Sequence, residues 1–145
     1  MAGSSSLTPK PVSPSRSVKR FSLDEANRTL PLVRRICSDI VKTQQRVADL
    51  ESAMADMSTK AAAQGAGKTQ IDHAMERFQA YVEELQSIGC QLKDHKTGLV
   101  DFLSRYQGRD ICLCWKLGED QIEYWHELNA GYAGRQPVRM LAENS

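Results

Sequence analysis

No apolar run in this chain approaches the roughly 20 residues that a helix needs to cross a bilayer. An excess of one charge is also missing. Nineteen basic residues against 18 acidic ones leave a net charge of +1, so no global field favours nucleic acid or an acidic membrane as a partner. Cysteine is sparse. Cys37, Cys90, Cys112 and Cys114 are scattered through apolar patterns, which suits small buried side chains in a reducing cytoplasm better than a disulfide framework. The first twenty residues hold no acidic side chain and no apolar h-region, which argues against a secretory signal. Rich in Ser and Pro, and basic at Lys10, Arg16, Lys19 and Arg20, they read as a disordered tail.

What remains has the composition of one globular domain: 41% hydrophobic and 26% charged over 145 residues, with room for a single core. The domain is expected over 21–138, with a helical hairpin over 22–89, a sheet region over 90–138 and a C-terminal tail over 139–145. Phe21-Ser-Leu-Asp-Glu25 is a helix start, in which Ser22 and Glu25 form a capping box and Phe21 serves as a staple. Pro31 disfavours helical geometry at Leu30, so a kink or break is expected near Thr29–Pro31.

Beyond it Val33, Ile36, Ile40, Thr43, Val47, Leu50, Met54, Met57 and Ala61 alternate spacings of three and four. They make a coiled-coil-like seam about 45 Å long at about 1.5 Å per residue. Gln64-Gly-Ala-Gly-Lys68 interrupts the helix, and Thr69 with Asp72 is expected to cap a second one. There Ile71, Ala74, Phe78, Tyr81, Leu85 and Ile88 repeat the rhythm, and Gly89 is placed as a left-handed stop. The fold class is therefore α+β: an antiparallel helical hairpin packed on a small three-stranded antiparallel sheet.

The strands are expected at Leu99–Ser104, Arg109–Leu117 and Gln121–Leu128, with a further short strand possible at Cys90–Lys93. A turn on Gln107-Gly108 sets Asp101 beside Cys114. A two-residue turn on Glu119-Asp120 pairs Lys116 with Glu123, Trp115 with Tyr124, Cys114 with Trp125 and Leu113 with His126. Ile111, Leu113, Trp115, Leu117, Ile122, Tyr124 and Leu128 then face the core, while Cys112, Cys114, Trp125 and Glu127 face outward. A one-residue slip would exchange the faces.

This register sends Cys114 and His126 to opposite faces, which speaks against a thiol nucleophile with a histidine base. Cys112 and Cys114, even joined by Cys90 and His95, match none of the paired knuckles usual for structural zinc. Asp101 and Glu127 are too far apart to share an ion, and His73 and His95 read as solvated. No cofactor is predicted; His126, Glu127 and Glu25 are the candidate ligands for a divalent metal.

Four segments carry a family resemblance: Phe21-Ser-Leu-Asp-Glu-Ala-Asn27 with Leu30-Pro31, Gly98-Leu-Val-Asp-Phe102, Leu113-Cys-Trp-Lys-Leu-Gly-Glu119, and Trp125-His-Glu-Leu-Asn-Ala-Gly-Tyr-Ala-Gly-Arg135. Together they resemble a small bacterial family known as domain of unknown function number 2203, from Phe21 to Pro137. The matching positions are Glu25, Asn27, Asp101, Cys114, Trp115, Glu119, Trp125, His126, Glu127, Gly131, Gly134 and Arg135; Cys112 is not among them. The resemblance implies a small cytoplasmic bacterial protein and assigns no activity.

Two functions are expected. The first is a non-enzymatic interaction or regulatory module acting as a homodimer that buries remaining seam or the Trp125 face. The second is a small-ligand or metal-binding protein, possibly hydrolytic, with its site where the start of helix one meets the sheet. Glu25, Asn27, Asp101, Trp125, His126, Glu127 and Arg135 are the candidate site residues. A coiled-coil scaffold is a third option, for which four heptads are short.

Overall fold

The computed structural model describes residues 18–56 and 65–143. Helix α1 (Leu23–Ala55) opens on the expected capping box: Ser22 Oγ accepts from the Glu25 amide at 3.1 Å, and Glu25 Oε1 accepts from the Ser22 amide at 2.9 Å. Two otherwise orphaned donors are thereby satisfied. Pro31 does not end the helix, which continues through it to Ala55. Eight residues in, Pro31 costs one ladder bond, and Leu30 and Val33 on either side are buried. Tertiary packing overrides the local penalty here.

Helix α2 (Ala66–Ile88) starts at Gly65 with no side-chain cap, so Thr69 and Asp72 lie inside it rather than capping it. It stops at Gly89, whose φ of 115° is left-handed, as expected. A Cβ there would also meet the Phe21 ring at 3.2 Å. The helices, 33 and 23 residues long, pack against each other. Of the expected seam, Val33, Ile36, Ile40, Val47, Ala74, Phe78 and Leu85 are buried, joined by Cys37 and Val82. Thr43, Leu50, Met54 and Tyr81 are half-buried, whereas Met57 and Ala61 fall outside the described residues.

The antiparallel sheet has five strands rather than three, in the order β1 (Cys90–Asp94), β2 (Leu99–Tyr106), β3 (Arg109–Lys116), β4 (Tyr124–Glu127) and β5 (Gln136–Pro137). β1 realises the further short strand expected as possible at Cys90–Lys93, one residue longer and with alternating burial. The addition is β5, an edge strand of two residues, too short to show a pattern. The supposed C-terminal tail includes a helical turn, α3 (Arg139–Glu143), whose Leu141 packs on the core.

One face of the sheet closes the core with α1 and α2. Val100, Phe102, Ile111, Leu113, Trp115 and Trp125 join Phe21, Leu30, Ile36 and Phe78 in it. His95 belongs to this packing too. Its ring stands edge-on to Phe78 at 5.6 Å, and burial lowers its pKa, so it is no solvated surface histidine.

Phe21 joins the parts. Its amide donates to the Leu103 carbonyl at 2.8 Å, its carbonyl accepts from the Ser104 hydroxyl, and its ring meets Phe102 edge-on at 5.1 Å. Phe21→Ala should therefore cost about 3–5 kcal/mol in urea unfolding, and Ser22→Ala about 1 kcal/mol. A Phe21 loss no larger than the cap loss would show that this anchor is not built into the core.

Candidate functional site

β2 and β3 pair as expected, with Val100 opposite Trp115 and Asp101 opposite Cys114. β3 and β4 do not. Leu113 lies opposite Trp125, Cys112 opposite His126 and Cys114 opposite Tyr124, one residue away from the expected register. The cause is the connection. β3 ends at Lys116 and β4 begins at Tyr124, so residues 117–123 form a broad loop instead of a tight turn on Glu119-Asp120.

That loop is held from three sides. Glu119 Oε1 accepts from the Lys116 amide at 2.9 Å, and the Glu119 carbonyl accepts from the Trp115 indole at 3.0 Å. Asn27 Oδ1 of α1 accepts from the Ile122 amide at 2.8 Å, and Arg34 donates to the Asp120 carbonyl at 2.8 Å. Arg135 makes two bonds of 2.8 Å to the Glu119 carboxylate. Burial works against both charges of that pair. Their mutual attraction outweighs it, so Glu119 sits below the usual carboxylate range and Arg135 above its ordinary value.

The shifted register exchanges the faces of β4. Trp125 points into the core and is 4% exposed, while Tyr124 takes the outer face and Leu128 is exposed. His126 thereby joins Asp101 and Cys114 on one face, contrary to the expectation that histidine and thiol point apart. His126 Nε2 lies 3.1 Å from both Asp101 carboxylate oxygens, and Nδ1 lies 2.7 Å from the Glu127 carbonyl. A carbonyl can only accept, so Nδ1 is the donor in the bond to Glu127. Cys114 Sγ completes the group, with all three ligand-type atoms within 4.8 Å of one another. Exposures of 6%, 0% and 2% for Asp101, Cys114 and His126 place it away from solvent.

Beside this group opens a cleft of about 620 Å³. Asp101 and Cys112 line it; Cys114 and His126 do not. Ile88, Leu103 and Leu128 form apolar wall, with Gln86, Gln91 and Lys19 among the polar lining. The carboxylate thus fronts the cleft and the imidazole stands behind it, the reverse of the order a histidine base needs to activate a nucleophile. Burial, followed by the Asp101 charge, pushes the Cys112 and Cys114 thiols up to about 12. They stay protonated at neutral pH, which disfavours thiol catalysis on grounds the sequence did not supply.

The other candidates are engaged elsewhere. Glu25 is exposed and closes the capping box. Asn27 and Arg135 hold the loop, although Arg135 also donates to the Cys114 carbonyl at 3.2 Å. Glu127 alternates away from His126 to pair with Arg109 at 2.7 Å, so it shares no face with Asp101. Cys90 is a core residue bonded to the Leu85 carbonyl. Among the described residues, Asp101, Cys114 and His126 are the one cluster suited to a metal ion.

The model of the family described as "Uncharacterized conserved protein (DUF2203)" matches residues 19–138. The chain belongs to that family. Neither curated proteins nor solved structures give a significant match. The DUF2203 match spans both the loop and every residue of the cluster, so the register that unites them lies within the family's own segment.

Cys37 and Cys90 are likewise raised to about 12 by burial, from an ordinary 9.0. As pH rises past about 9 the unfolded thiols ionise first, so the stabilisation is complete below that value and is lost toward 12. Alkaline urea titrations should show stability falling across this window. A disulfide reagent at pH 8 should find Cys37, Cys90 and Cys114 slow until denaturant releases them; a fast native reaction at any of these three would contradict the burial.

Proposed function

We propose that this protein is a non-enzymatic binding module whose ligand enters the outer-face cleft and meets Asp101. The observation behind this reading is a buried carboxylate, braced by His126, that fronts a cleft with an apolar side at Ile88, Leu103 and Leu128 and polar groups at Lys19, Gln86 and Gln91. A few converging polar groups in an apolar concavity are what small-molecule sites are made of. The occupant best matched to it is a small amphipathic molecule that offers Asp101 an N–H or O–H donor. Its apolar part would lie along Ile88, Leu103 and Leu128.

Of the two surfaces a homodimer was expected to bury, the Trp125 face is removed, because Trp125 belongs to the core; the reading on the remaining helical seam is left standing. Four free cysteines fit a reducing compartment, so the cytoplasm is the proposed location. No helix among the described residues is long and apolar enough to cross a membrane.

A fragment panel of small amines and amides, followed by amide NMR, tests the reading. Binders should perturb Gly89, Gln91, Leu103 and Cys112, and Leu103→Trp, which fills the cleft, should abolish the effect while the protein stays folded. Perturbations that persist in the filled variant would refute it.

A further inference from the structure

The geometry points to a transition-metal site of the zinc class formed by Asp101, Cys114 and His126, with a fourth position open toward the cleft. The three ligand atoms come from three adjacent strands and already lie within 4.8 Å of one another. The 3.1 Å between Nε2 and the Asp101 oxygens is close to the separation of two ligands on one tetrahedral ion with bonds of about 2.0–2.2 Å. Only Cys114 needs to draw in.

The surrounding contacts prepare the site. Nδ1 of His126 is committed to the Glu127 carbonyl at 2.7 Å, which leaves Nε2 as the coordinating nitrogen. This outer partner is the usual one for a metal-bound histidine. The mixed oxygen, nitrogen and sulfur set suits zinc or cobalt, and speaks against calcium and magnesium, which take oxygen ligands. Entry is provided as well, since Asp101 is both a member of the cluster and part of the cleft lining.

Coordination requires the Cys114 thiolate, the Asp101 carboxylate and an unprotonated His126 Nε2, so the Cys114 Sγ proton and any proton on Nε2 are released to solvent when a divalent ion binds. Cys112 lines the cleft beside Asp101 but falls outside the close cluster, so it is left out of the ligand set.

The test uses the reduced, chelator-treated full chain titrated with cobalt(II) in the absence of any organic ligand, so its outcome is independent of the cleft reading. One equivalent should give the intense visible bands of tetrahedral cobalt with a thiolate charge-transfer band, and zinc should bleach both. Cys114→Ser should lose the charge-transfer band and Cys112→Ser should keep it. His126→Ala should weaken binding by more than the roughly 10–100-fold that loss of an outer-shell partner costs. X-ray absorption on zinc-loaded wild type should show one sulfur among nitrogen and oxygen ligands, a readout that needs no variant to fold. No charge-transfer band, a band unchanged in Cys114→Ser, or two sulfurs at zinc would overturn the assignment.

Discussion

The parity of the loop between β3 and β4 governs which side chains this protein can bring together. A tight turn on Glu119-Asp120 would place Trp125 outward and His126 inward; the loop over 117–123 does the opposite. Glu119 is its keystone. One residue accepts from the Lys116 amide, the Trp115 indole and the Arg135 guanidinium, while Asn27 and Arg34 fasten the far side to α1. Each bond is worth only about 1 kcal/mol or somewhat more. Together they decide the face of every residue in β4, because strand side chains alternate with a period of two.

The sheet consequently has two faces of different chemistry. The inner one is apolar and packs on both helices. The outer one gathers a buried carboxylate, an imidazole and thiols at positions where burying a polar group is costly unless it is partnered. Asp101 finds those partners in His126 and the neighbouring thiols. Stability and binding thus draw on the same contacts, and a cluster that satisfies its own carboxylate is also arranged to accept a cation or a ligand's donor.

Much of the architecture was legible in the residues. The capping box at Ser22 and Glu25, the stop at Gly89, the seam from Val33 to Val47 and the β2–β3 register all follow from local chemistry that the tertiary structure respects. Pro31 was misleading, because its cost is local and the packing of Leu30 and Val33 outweighs it. The site failed for one reason. An opposite-charge pair and an aromatic pair appeared to support the tight turn, whereas the bonds that open the loop come from Asn27, Arg34 and Arg135, distant in sequence. Gly118, with φ of 106°, was the local hint that the strand ends before Glu119.

Trp115 and Trp125 both belong to the core side of the sheet, away from the cleft. Intrinsic fluorescence will therefore follow the integrity of the interior and stay nearly blind to an occupant on the other face. An emission spectrum unmoved by an added compound would say nothing about binding, and a dye or label placed near Leu128 would be the informative optical probe.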